Sequence, residues 1–137
     1  VERIFTRPAS EARLFDIDGD GQNELITIEP FHGPSFRIYR SGPAGYTPLY
    51  ECPLALDFCH VIWTGALRGR PCVIGACRGG PGSLFLLTWE GDGLALTEID
   101  RGVGPSNVDV IHGPDFDLIA SANREAGRGA LYRVYDN

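Results

Sequence analysis

Residues Asp16 to Glu24 read Asp-Ile-Asp-Gly-Asp-Gly-Gln-Asn-Glu. Three aspartates occupy alternate positions, two glycines permit a tight turn, and a glutamate closes the run. Alternate carboxylates on a sharply turned loop converge on one point. Hard oxygen donors in that number suit Ca²⁺ better than any softer metal. The flanks, Leu14-Phe15 and Leu25-Ile26-Thr27-Ile28, are short and β-prone. The loop therefore joins two strands, and it sets the phase for the rest of the chain.

Working outward, the run Leu25–Ile28 has counterparts at Cys72–Gly75 and Leu118–Ser121, so the spacings are 72 − 25 = 47 and 118 − 72 = 46 residues. Each counterpart is preceded by a strand-like run: Ala12–Asp16, His60–Thr64 and Val108–His112. Each is followed by a glycine-containing loop and another such run: Ser35–Arg40, Ser83–Trp89 and Ala130–Tyr135. Two units add a fourth strand, near Tyr46 and Leu94, after the turn signals Ser41-Gly42-Pro43 and Glu90-Gly91-Asp92-Gly93. Helical periodicity is absent beyond a short Ser10–Arg13 start, which reads as loop.

Four short strands in a unit of about 47 residues is the pattern of a β-propeller blade. The predicted fold is all-β, with antiparallel four-stranded blades at residues 12–53 and 58–101 and an incomplete three-stranded blade at 106–137. Residues 1–7 read as the outer strand that completes a blade, so the two ends are complementary. About three blades are too few to close a ring, for which ~4–8 are typical. The expectation is part or half of a larger propeller: either a homodimer that trades terminal strands, or association with blades missing from this chain.

The bulk composition agrees. The 137 residues carry 18 glycines and 10 prolines, with 43% hydrophobic residues, a profile of turn-rich β-structure. The net charge of −6 comes without a basic stripe, which argues against nucleic acid. No apolar run approaches the ~18 residues of a membrane span. The chain opens at Val1 and contains no Met, so a processed product or a piece of something longer is expected, without a visible signal peptide. Cys52, Cys59, Cys72 and Cys77 show no CxxC pair and no zinc spacing. Cys72 and Cys77, five apart on one predicted strand, point to opposite faces and should not bond. Four buried free thiols in a reducing, cytoplasmic compartment is the expectation.

The nine-residue loop resembles the FG-GAP or VCBS type of propeller repeat, as in the integrin α-chain head. The resemblance implies calcium held by the side chains of Asp16, Asp18 and Asp20, by the carbonyl of Gln22, and by Glu24 as the closing carboxylate. Glu24 departs from the commoner Asp at that position. An EF-hand fits less well, because Thr27 stands where its closing Glu belongs and the flanks are strands. The matching loop of the second unit, Trp63–Pro71, has lost every carboxylate, and only Asp117 matches in the third. The calcium site therefore reads as a structural staple, and one surviving loop in three makes integrin-like adhesion the less favoured reading.

Loops within a blade alternate between its two ends. The end opposite the calcium loop collects Glu29, His32, Asp57, His60, Arg78, Asn107, Asn123, Arg124 and Glu125, with His60 and Asn107 nearest the central axis. His112 falls on the calcium end. Carboxylate, imidazole and guanidinium groups converging there suit a polar small molecule or carbohydrate, or a protein partner. Glu29, Asp57, Asn107, Asn123 and Glu125 are the candidate binding residues. The alternative is a sugar lyase or dehydratase, with His32 or His60 as base and Arg78 or Arg124 neutralising developing negative charge. The segments Glu29–Gly33 and Ala122–Glu125 are similar to aldos-2-ulose-dehydratase-type propeller proteins, which implies that sugar-directed elimination.

Overall fold

The structure, a computed structural model, describes residues 1–136. It is all-β. Among the described residues, eleven strands form three antiparallel sheets, each running in chain order. The first sheet holds β1 (Glu11–Phe15), β2 (Glu24–Glu29), β3 (Ser35–Gly42) and β4 (Gly45–Glu51). The second holds β5 (Asp57–Leu67), β6 (Arg70–Gly79), β7 (Leu84–Glu90) and β8 (Gly93–Asp100). The third holds β9 (Pro105–His112), β10 (Asp117–Asn123) and β11 (Arg128–Val134). These spans fall within one or two residues of the units expected at 12–53 and 58–101, and the third sheet has three strands. The Glu90–Gly93 turn closes a tight hairpin in which Gly91 takes φ 63°, a left-handed angle that a side chain disfavours.

The sheets stack. Ile26, Ile28, Phe36 and Ile38 of the first sheet share a buried layer with Ile62, Val73, Phe85 and Leu87 of the second. The opposite face of the second sheet places Cys72, Ile74, Ala76 and Leu84 against Val108 and Ile119 of the third. Each fully buried Ile, Leu or Phe contributes about 1.5–3 kcal/mol, so these two layers hold the chain together. A Cβ at Gly75 would collide with the rings of Phe85 and Phe36. Glycine there lets those rings meet edge to face at 5.1 Å. The first strands adjoin, with β5 against β1 on one side and β9 on the other. The outward face of the third sheet stays uncovered: Ile111 is 66% and Leu131 68% exposed.

Two expectations differ from the structure. Residues 1–7 form no strand in this chain. Phe5 packs instead on Tyr39 and Tyr46 of the first sheet, at 5.0 and 6.0 Å between ring centroids. The four cysteines are not all free thiols: Cys59 and Cys77 form a disulfide, and only Cys52 and Cys72 are free and buried. The pair faces across β5 and β6 in direct register, just before a bulge at His60. Register, not sequence spacing, brings the two sulfurs together, and Cys72 and Cys77 stay apart as expected. Burial pushes the Cys72 thiol up to about 12, an inert thiol.

Candidate functional site

The loop between β1 and β2 folds around Asp16. Its carboxylate accepts the N–H groups of Gly19 (2.8 Å), Asp20 (3.1 Å) and Gly21 (2.9 Å). Asp18 Oδ1 caps Asp20 N–H, and Asp20 Oδ1 caps Gln22 N–H. Gly19 and Gly21, at φ 75° and 89°, supply the left-handed turns. As a result Asp16, Asp18 and Glu24 bring one oxygen each to within 4.8 Å of one another. Asp20 lies outside this cluster and is exposed. Glu24 is 1% exposed and accepts the Ile17 N–H at 3.1 Å. Desolvation, reinforced by Asp18 and Asp20, raises its pKa against the pull of that N–H and of Arg40. Arg40 is the resident cation: its Nη2 meets Asp18 Oδ2 at 2.5 Å, and its Nε lies 3.9 Å from Glu24 Oε1 without a hydrogen bond. An all-oxygen donor set with a buried, charge-averse member fits a hard cation.

In the third sheet the comparable carboxylate, Asp117, is 2% exposed and neutralised differently. It accepts the backbone N–H of Arg68 at 2.5 Å and sits 3.3 Å from His112 Nδ1. The Arg68 guanidinium, reaching over from the second sheet, donates to the carbonyls of Gly113 and Pro114 and to Asp136. The Arg68 N–H is the main cause that lowers the Asp117 pKa, with His112 adding to it against burial. His112 thus lies on this end of the molecule, where the sequence put it.

At the opposite end, His32 and His60 come together. Their rings stack at 5.1 Å, and Phe58 stacks on His32 at 4.9 Å. Both histidine Nδ1 atoms are buried without a hydrogen-bond partner among the described residues. Arg78 lies 4.9 Å over the Phe58 ring and pairs with Glu125 at 3.0 Å. His32 and Phe58 hold φ 47° and 49°, a backbone conformation uncommon outside glycine. Asp57 abuts Gly79 and caps the Phe58 N–H at 2.9 Å. Arg124 is exposed.

Two residues expected in this cluster are engaged elsewhere. Glu29 is 3% exposed, and its carboxylate accepts from Arg7 (2.8 Å), Arg37 (2.9 Å), Tyr39 (2.8 Å) and Thr27 (2.9 Å). Burial pushes its pKa up, and these donors outweigh that and lower it. Asn123, 1% exposed, accepts from Ser121 Oγ at 2.6 Å and donates to Tyr132 at 3.0 Å. Period-two alternation puts Asn123 in phase with the buried Ile119, facing the second sheet, and puts Glu29 out of phase with Ile26 and Ile28, on the other face of the first sheet beneath Arg7; hydrogen bonding consumes both.

A groove of about 440 Å³ runs where the first strands of the three sheets meet. Its lining includes Glu11 and Arg13 from β1, His60 and Trp63 from β5, and Ser106 and Asn107 from β9. His60 and Asn107, expected nearest a central axis, both line the groove. Glu11, Arg13, Trp63 and Ser106 escaped sequence reading because only the packing of the three first strands side by side brings them to one groove. The groove spans Glu11 and Arg13 of β1, the middle of β5 from His60 to Thr64, and Ser106–Val108 of β9, whereas the acidic loop follows the end of β1 at Phe15. His32 does not line it. Compared with known proteins, the sequence matches no family model and no curated protein.

Proposed function

We propose that this chain is a segment of a β-propeller that binds a polar small molecule, a carbohydrate by its chemistry, in the groove between its first strands. On this reading the acidic loop at the other end binds calcium and rigidifies the first sheet. One observation carries the proposal: three separate sheets each contribute polar side chains to a single groove, flanked by an aromatic ring. The buried layers on both sides of the second sheet, and the open face beyond the third, support a stacked arrangement that continues through a second copy or further sheets.

The sugar lyase or dehydratase alternative needs His32 and His60 at one substrate. The stacking of the two rings favours it, but only His60 reaches the groove, and Arg78 is already paired with Glu125. Binding without turnover is therefore the reading put forward. The test is a titration with neutral and acidic monosaccharides, followed by amide and indole NMR shifts. Shifts should cluster at Arg13, His60, Trp63 and Asn107, and His60→Ala with Asn107→Ala should weaken them. Binding that maps elsewhere, or is untouched by both substitutions, overturns the groove assignment.

A further inference from the structure

Resting on the groove reading above, we infer that Trp63 is the stacking platform of the site and that its ligand is a neutral pyranose, not a sugar acid. Trp63 and Gly65 lie two apart on β5 and share one face. A Cβ at Gly65 would run into the six-membered ring of the indole, so the ring occupies the space that this glycine leaves open. The side chain packs on the apolar layer between the second and third sheets, and the residue stays partly exposed at the groove. The indole is thus fixed before any ligand arrives, which lowers the ordering cost of binding. An aromatic face carries negative charge density and attracts weakly positive C–H groups. The flat C–H face of a pyranose is the ligand surface that matches it.

The charges in the groove decide between neutral and acidic sugars. Arg13 is its guanidinium, and Nη2 already pairs with Glu11 Oε1 at 2.7 Å while Nη1 donates to the Ala12 carbonyl. The pair presents a donor and an acceptor side by side with no net charge, which suits neighbouring hydroxyls. Ser106, Asn107 and Thr64 add uncharged donors and acceptors. A carboxylate would meet Glu11 at close range or have to break the pair, and the chain's net charge of −6 opposes its approach.

The experiment titrates the intact chain with methyl glucoside, methyl galactoside, methyl mannoside and sodium glucuronate, following the Trp63 indole N–H by NMR. At least one neutral glycoside should shift it, with glucuronate weaker by about tenfold or more, a difference of about 1.4 kcal/mol. Trp63→Phe, which keeps a stacking face, should hold affinity within about threefold, and Trp63→Ala should lose about tenfold or more. A melting curve checks that each variant is folded, and Trp63→Phe serves if Trp63→Ala is not. Glucuronate binding better than the neutral glycosides overturns the neutral-sugar inference and leaves the groove standing. Unaltered affinity in folded Trp63→Ala overturns the platform. No shift with any of the four overturns both the inference and the groove reading beneath it.

Discussion

Arg40 offers the sharpest test of the acidic loop, because it already occupies the place of a cation. Replacing it with glutamine leaves Asp18 and Glu24, whose side chains are 8% and 1% exposed, without a compensating charge. Unit charges about 4 Å apart at an effective dielectric near 20 interact by about 4 kcal/mol. The Arg40 side chain is 41% exposed, and solvent screening reduces the loss to about 1–2 kcal/mol. For a domain of this size that lowers the melting temperature by about 3–10 °C without added metal. Calcium at about 100 times its dissociation constant restores about 2.7 kcal/mol. It should restore more in Arg40→Gln than in the parent, where it must first displace the guanidinium from Asp18. Differential scanning calorimetry with chelator and with calcium measures both. An equal calcium shift in the two proteins refutes the competition, and no shift in either refutes a structural calcium site.

Glu29→Ala strands Arg37, Tyr39 and Thr27, and should cost about 2–3 kcal/mol by urea titration. Because the Glu29 pKa is lowered in the fold, the stability it contributes is present above its ordinary value of 4.5 and lost as pH falls through the folded value. The acid limb of the stability curve should therefore flatten in Glu29→Ala, and an unchanged limb would assign acid lability to Asp117, Glu98 and Asp136, whose values are lowered as well. If a second copy covers the third sheet, light scattering should give twice the 14.9 kDa of the chain, with Leu131→Asp returning the single mass. A parent that stays at the single mass removes that pairing.

The strands were legible because their signals are local: alternation, β-branched runs and glycine turns fixed eleven elements near their expected places. The acidic loop was legible for the same reason, since carboxylates two apart on a turn can converge, as Asp16 and Asp18 do with Glu24 while Asp20 stays outside. What sequence could not show was register. Cys59 and Cys77 are separated by 18 residues and lie opposite each other only because β5 pairs with β6 at that offset. Ile26 and Val73 look like repeats of one another at a spacing of 47, yet they share one buried layer as packing partners from facing sheets. Glu29 and Asn123 belong to the ends of strands, not to the loops beside them, and a shift of one residue decides whether a carboxylate faces a ligand or an arginine. Trp63 reads in sequence only as the end of a strand and the start of a turn, and nothing local shows that the strands beside it leave it partly exposed in a groove.

The clasp formed by Arg68 has a further consequence. It ties the second sheet to the third with a covalently attached cation, bonded to two carbonyls and Asp136, with Asp117 3.5 Å from its Nη1. A side chain cannot dissociate or be sequestered. The seam it closes is therefore indifferent to the ionic composition of the surroundings, apart from ordinary salt screening. If the loop of the first sheet does take a free ion, sensitivity to that ion is confined to one end of the stack. A chelator would then loosen Asp16–Glu24 and its neighbours while the far seam kept its grip, making the molecule a ruler with one adjustable end.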